Sequence, residues 1–187
     1  MPRRLVITEN ITLDGVVEND GSWFDPTEIS EQAQQLAEIT RKHAAASDGF
    51  LVGRVTFEEM RGFWPKQIDD RTGVTDHLNR VEKYVVSRNI RDPEWDGTVI
   101  LRGGDALSSE IRNLKAREGK DIVLTGSITL ARQLLDLGMA DELRLFVYPV
   151  VVGSGRRLFT ENHELRDLVL VESRSFQGGV VLLRYAR

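Results

Sequence analysis

The sequence predicts an α/β fold, with a mostly parallel sheet of about eight strands, an antiparallel edge, and helices on both faces of the sheet. Three observations predict it. Short Val- and Ile-rich runs alternate with segments of helical periodicity along most of the chain. Junctions of strand, small-residue turn and helix recur, as at Gly53 and again at Thr125-Gly126-Ser127. The chain closes on two strand-like runs, Leu168 to Phe176 and Val180 to Tyr185, around the hairpin signal Gln177-Gly178-Gly179.

The segment from Asp121 to Phe159 carries the pattern most plainly. Ile122 to Leu124 is an apolar run too short for a helix and flanked like a buried strand. After Thr125-Gly126-Ser127, Leu130, Leu134, Leu135 and Leu137 recur at helical spacing, and Gly138 takes the C-cap. Leu143 to Val152 is a second apolar run, ending at Pro149 and a Gly153-Ser154-Gly155 turn. Together these make a βαβ unit. A helix that begins directly after a tight turn offers free N–H groups and the positive end of its dipole, which is a place to hold a phosphate.

Composition bounds the possibilities. A chain of 187 residues, 41% hydrophobic and 29% charged, suits one globular domain spanning residues 1–187. The net charge of -4 argues against broad nucleic-acid binding and against a basic membrane patch. No apolar run approaches the roughly 20 residues of a spanning helix, and the N-terminus has no signal-peptide core. The absence of cysteine excludes disulfides, thiol catalysis and thiolate metal sites, and a cytoplasmic location is expected.

Taken in order, Arg4 to Ile11 reads as the first strand, with Asp14-Gly15 as the turn after it. Thr27 is the expected N-cap of a helix with Glu28 in its first turn, running to about Ala46. Phe50 to Gly53 is a short buried strand, and a helix from Arg54 ends by Gly62. Lys66 to Arg80 reads as a polar connection with one helical turn around Asp76 to Val81. Tyr84 to Val86 and Thr98 to Leu101 are further strands, the second followed by a helix carrying Leu107, Ile111 and Leu114 and capped by Asp105 or Ser108. Four helices result.

Four strand ends carry small or basic residues: Gly53-Arg54, Ser87-Arg88, Arg102-Gly103-Gly104 and Thr125-Gly126-Ser127. Ligands of open α/β sheets bind outside the carboxyl ends of the strands, where small residues admit a phosphate and Arg54 and Arg88 can pair with its oxygens. Any one such junction is an ordinary strand end; four at comparable sites point to a nucleotide. His43, His77 and His163 share no metal-ligand spacing and read as surface residues, so no metal is expected. Asp141-Glu142 reads as a charge pair at a strand entrance.

The run Gly138 to Phe159, with Asp141-Glu142-Leu143, Pro149, Gly153, Gly155 and Leu158-Phe159, resembles the reductase domain of the bacterial bifunctional deaminase-reductases of riboflavin synthesis. That family shares a three-layer α/β/α fold with dihydrofolate reductase. Gly53-Arg54-Val55-Thr56-Phe57-Glu58 is similar to the Gly-Arg-x-Thr-aromatic-Glu segment of dihydrofolate reductases, and Val86-Ser87-Arg88 to their Leu-Ser-Arg cofactor loop. Thr125-Gly126-Ser127 sits where they carry a Gly-rich turn. The resemblance implies a stand-alone reductase domain that uses NADPH. By it, Gly53, Arg54 and Thr56 touch the cofactor phosphates, Ser87 and Arg88 the 2′-phosphate, and Thr125, Gly126, Ser127 and Ile128 the pyrophosphate; Gly103 belongs to the same set of strand ends. The riboflavin-type enzymes carry a basic residue after Asp-Gly, where this chain has Val16, and a Glu before the Gly-rich turn, where it has Thr125. Trp23, Pro26 and Glu28 are instead similar to the Trp-x-x-Pro-x-acid pattern of dihydrofolate reductases.

The expected activity is therefore NADPH-dependent reduction of a pterin- or pyrimidine-like heterocycle. Glu28 is the first candidate for the proton donor and Asp14 the alternative, since a carboxyl in a dry pocket can deliver a proton near neutral pH. Trp23, Phe57 and Tyr148, with Phe24 and Trp64, are candidates to wall the flat ring. A second reading, motivated by Val16 and Thr125, is a nucleotide-binding protein of this fold without turnover. Apolar Val147 to Val152 and the C-terminal hairpin suggest a homodimer.

Overall fold

The computed structural model describes residues 2–26, 28–68, 70, 72–161 and 164–187. Eight strands form one sheet: β1 (Leu5–Thr12), β2 (Ser47–Gly53), β3 (Glu82–Val86), β4 (Thr98–Leu101), β5 (Asp121–Thr125), β6 (Glu142–Tyr148), β7 (Val169–Ser175) and β8 (Val181–Ala186). Their spatial order is β4-β3-β2-β5-β1-β6-β8-β7. The first six are mutually parallel, while β8 runs antiparallel to both β6 and β7, so the C-terminal hairpin closes one edge as expected. Five α-helices connect them: α1 (Glu31–Ala45), α2 (Arg54–Phe63), α3 (Val74–Arg80), α4 (Leu107–Ala116) and α5 (Ile128–Asp136).

Strand parity divides the helices between the two faces. Leu5, Ile7 and Ile11 of β1, Leu51 of β2, Ile122 and Leu124 of β5, and Leu143 and Leu145 of β6 pack with Ile111 and Leu114 of α4 and Leu130, Leu134 and Leu135 of α5. The intervening residues face the other way, where the apolar surface falls into two separate clusters. Phe50, Val52 and Val85 pack with Phe57 of α2 and Leu78 of α3. Phe146, Tyr148 and Leu182 pack with Ile39 of α1. Between them lie Thr8 and Asn10 of β1 and Thr125 of β5, all half-buried; Thr8 and Thr125 are register partners. A polar floor thus separates α1 from α2 at the middle of the sheet.

Several boundaries differ from the sequence reading for identifiable reasons. α1 begins at Glu31, capped by Ser30, whose hydroxyl accepts the Ala33 N–H at 3.0 Å. Glu28 precedes the helix, its N–H turned to Asp25 O; the expected cap, Thr27, lies outside the described residues. Neither Asp105 nor Ser108 caps α4. A 3-10 turn at Gly104–Ala106 leads into it, and Glu110 reaches back to the N–H groups of Arg102 and Gly103 at 2.8 and 2.9 Å. The connection after Lys66 folds into α3, which buries Thr75, His77 and Leu78, so the described residues form five α-helices rather than four. His77 is thereby interior, and His43 is half-buried against Phe146 with its ring held down to about 4 by burial and by the Arg144 and Arg184 charges. His163 lies outside the described residues. β6 stops at Tyr148, because Pro149 has no N–H to continue the ladder. The Gly138 cap holds: its N–H bonds Leu135 O and that of Met139 bonds Leu134 O, with Gly138 at φ 63°.

Asp141-Glu142 proves to be the start of a buried ion cluster. Asp141 accepts the Leu5 N–H at 2.7 Å and pairs with Lys115 at 2.6 Å. Glu142 pairs with Arg144 at 2.5 Å, Arg184 at 2.8 Å and Arg4 at 3.1 Å; Arg4 and Arg144 also reach Asp121. These groups tie together the starts of β1, β5 and β6. Burial opposes the Glu142 charge, but hydrogen bonds from Arg184 and Arg144 prevail and hold its carboxyl at about 2.

A depressed carboxyl stabilises the fold above its unfolded value, and that stability is lost as pH falls. Glu142→Gln is expected to cost about 3–5 kcal/mol near neutral pH. In urea unfolding followed across pH, the wild-type protein should lose its advantage over the variant between about pH 4.5 and about 2. A constant difference across that window would show that the charge on Glu142 does not stabilise the fold.

Candidate nucleotide and substrate site

The carboxyl ends of β2 and β5 lie side by side, and two side chains join the turns that follow them. The Ser127 hydroxyl accepts the Gly53 N–H at 2.9 Å, and the Thr56 hydroxyl accepts the Ser127 N–H at 3.1 Å. Gly126 and Ser127 both adopt left-handed conformations, with φ of 62° and 50°. A Cβ on Gly126 would lie 3.0 Å from Thr56 Cγ2, so this approach favours glycine for space as well as for backbone angle. Four residues expected to touch phosphates, Gly53, Thr56, Gly126 and Ser127, therefore form one structure. Thr125 and Ile128 flank it. Among the described residues no side chain caps the first turn of α5, where the positive end of the helix dipole lies.

A cleft of about 300 Å³ is lined by Arg54, Glu58 and Arg61 of α2, which follows Gly53, and by Asn89, Ile90, Arg91 and Asp92 of the segment after β3. Arg54 is 43% exposed and pairs with Glu58 at 2.8 Å. The other arginines that face the cleft are Arg61 and Arg91, which the sequence reading did not single out. Arg88 is exposed and lies over Gly104, away from the cleft lining. Ser87 is buried; its N–H donates to Leu101 O and its oxygen accepts from Asn89 and Ile90 at 3.1 Å each. It shapes the loop that forms the cleft wall and keeps only its hydroxyl proton to give. Gly103, at φ 66°, packs so closely on Val86 that an added Cβ would come within 2.6 Å of that side chain.

The ring-binding candidates divide. Trp23, Phe24 and Tyr148 form one aromatic group, with Tyr148 5.4 Å from Trp23 and 5.6 Å from Phe24 in edge-on contacts. Glu28, exposed, is close enough for its charge to add to burial in raising the Tyr148 hydroxyl above its ordinary value. Phe57 is corrected: it is 0% exposed, packed on Trp95 at 5.7 Å in the second cluster, and has no surface left for a ligand. Trp64 packs half-buried against the same cluster.

Asp14 is corrected as a proton donor. Its carboxylate accepts the Thr12 hydroxyl at 2.6 Å and the Gly153 N–H at 2.9 Å, with Arg157 beside it. The Thr12 bond first, then the backbone N–H groups, hold it down to about 2. It is a fixed anion that fastens the turn after β1 to the segment after β6. Val16 is 1% exposed and bridges to Arg157.

Sequence reasoning missed Glu9. It occupies the row of β1 that otherwise sends Leu5, Ile7 and Ile11 into the core, so a carboxyl at a core-facing position was the available signal. It is 3% exposed; Oε2 accepts the Gly126 N–H at 3.1 Å, and Oε1 is buried with no partner among the described residues. The neighbouring Thr8 hydroxyl is likewise buried without a partner, on the floor between α1 and α2. No group of His, Asp and Glu among the described residues gathers in a way that would hold a metal, and no helix is long and apolar enough to cross a membrane.

Comparison with known proteins agrees with this architecture. Residues 3–182 match the family described as the RibD C-terminal domain. Two Bacillus subtilis (strain 168) proteins described as uncharacterized are similar: YyaP is 31% identical over 98% of this chain and 94% of its own, and YwjB 28% over 100% and 99%. Among solved structures, a putative riboflavin biosynthesis protein from Shewanella sp. PV-4 superposes with a TM-score of 0.68 at 19% identity, covering 100% of this chain and 99% of that one. The Thermotoga maritima diaminohydroxyphosphoribosylaminopyrimidine deaminase/5-amino-6-(5-phosphoribosylamino)uracil reductase gives 0.67 at 15%, covering 99% of this chain and 56% of that one. At such identities the structures speak for the fold, and the family match, spanning nearly every strand, settles the grouping: this chain belongs to the RibD C-terminal domain family.

Proposed function

We propose that the protein is an NADPH-dependent reductase of a flat, pterin- or pyrimidine-like heterocycle. The observation that carries this reading is the fastening of Gly53, Thr56, Gly126 and Ser127 into one turn beneath the uncapped start of α5, beside a cleft faced by Arg54, Arg61 and Arg91. In that arrangement the α5 N–H groups would hold a pyrophosphate, and Arg54 with Arg91 would reward the additional phosphate of NADPH over NADH. A reduced nicotinamide held by these residues would supply the hydride.

The chain's own residues do the rest. Thr8, Asn10 and Thr125 form a polar floor that can hydrogen-bond the edge of a heterocycle, while Trp23, Phe24 and Tyr148 offer apolar ring faces at its side. Glu28, beside Tyr148 and exposed in the chain alone, is the group we assign to deliver a proton to the acceptor atom once a bound ring covers it and excludes water. Val16 and Thr125 stand where riboflavin-type enzymes carry charged groups, which favours a substrate bound through ring and floor contacts. The homodimer belongs to the same reading, supported by the exposed Val169, Leu170 and Val171 on β7, an open edge of the sheet.

Three outcomes are expected. Fluorescence titration should show that Arg54→Ala weakens NADPH roughly 10- to 100-fold and NADH less; equal effects on the two would remove the phosphate assignment. Turnover measured as NADPH oxidation over a panel of pterins and pyrimidines should fall about 100-fold or more in Glu28→Gln, with NADPH affinity unchanged. Tight binding without oxidation of any compound would favour a nucleotide-binding protein instead. Sedimentation of the whole chain should give the mass of a dimer, and a monomer at all concentrations would exclude one.

A further inference from the structure

Glu9 has a role that its burial and its single hydrogen bond define together. Among the described residues no cation stands against it. Its register partner on β6 is Leu145, and α5 opens with Ile128, Thr129 and Leu130. The first charged side chain of α5, Arg132, is turned to the carbonyls of Arg157 and Leu158. Glu110 of α4 is tied to Arg102 and Gly103, and Asp14 at the end of β1 to Thr12, Gly153 and Arg157. A carboxylate buried without a counter-charge is so costly that the group stays neutral instead. Burial accordingly pushes the Glu9 carboxyl well above its ordinary value, and the one N–H bond from Gly126 offsets this only in part.

We infer that Glu9 is a positioning residue for the turn before α5: an uncharged carboxylic acid that fixes the Gly126 N–H, and whose negative charge, when it forms, works against a phosphate held at the start of the helix. The inference rests on the cofactor reading above. Gly126 and Ser127 are consecutive left-handed residues, and the N–H of each is held by one side chain, Glu9 for the first and Thr56 for the second. Thr56 is neutral at every pH. Glu9 is the half of this clamp that titrates, so the grip on a phosphorylated ligand should weaken as pH rises through the Glu9 ionisation.

The test compares wild type with Glu9→Gln, which keeps an oxygen for the Gly126 N–H and removes the charge. NADPH dissociation constants are measured from about pH 5 to pH 9. The affinity of the wild type relative to Glu9→Gln should fall at least about tenfold across that range, and a ratio independent of pH overturns the proposal. Glu9→Leu, which abandons the Gly126 N–H, should weaken NADPH at every pH; unchanged binding would show that Glu9 does not position the turn. Thermal unfolding of the ligand-free proteins reads the same ionisation without a cofactor. A raised carboxyl stabilises the fold below its unfolded value and loses that stability as pH rises through the folded one. Wild type should therefore lose stability relative to Glu9→Gln with rising pH. That trend in a protein that binds no NADPH would uphold the neutral Glu9 and reject the cofactor instead; its absence would mean that Glu9 is charged throughout and overturn the proposal.

Discussion

Two hydroxyl groups hold the carboxyl ends of the central strands together. Ser127 and Thr56 link the turn after β5 to the turn after β2, across neighbouring strands whose following helices lie on opposite faces of the sheet. Each bond contributes only about 1 kcal/mol net. Their consequence is geometric, because they hold Ser127, which is not a glycine, in a left-handed conformation and point the start of α5 at the space above the strand ends. Without that link the small residues at Gly53 and Gly126 would be two unrelated turns.

The opposite end of the sheet is built on another principle. There Arg4, Asp121, Glu142, Arg144 and Arg184 satisfy one another beneath the strand starts, with Glu172 completing the set from β7 through Arg184. Arg144, 2% exposed, keeps a single unpaired nitrogen. Burying so many charges is tolerated because nearly every one has a partner, and removing any one would strand the others. Among the described residues the other end of the sheet is held by hydroxyl and backbone groups instead of ion pairs, with the Thr8 hydroxyl and one Glu9 oxygen buried without a hydrogen-bond partner and no side chain capping α5.

Much of this was legible in the chain. The βαβ unit from Asp121 to Tyr148, the C-terminal hairpin and the Gly53 and Gly126 junctions stand where the spacing of apolar and small residues put them. The start of α1 was misplaced because Thr27-Glu28 and Ser30-Glu31 offer the same capping chemistry, and only the Ala33 N–H on Ser30 distinguishes them. Phe57 was misread as a ligand contact since a surface helix has one face to the opening and one to the core, and sequence alone does not say which face an aromatic takes. Asp14 looked like an acid in a loop, yet its partners at Thr12 and Gly153 are 2 and 139 residues away, and the second is visible only in the folded chain.

By itself, then, the sequence determined the layer order, the strand directions and the turns where small residues let backbone approach a ligand, because periodicity and turn chemistry are local properties. The tertiary structure decided which charges are buried, which partners they find and which of those turns meet. Glu9 and Glu142 are alike as letters in strands. One lies buried beside a lone backbone N–H and is pushed well above its ordinary value, while the other lies among three arginines and is held down to about 2. The difference is the electrostatic surroundings that distant segments bring to each, which no stretch of the chain carries on its own.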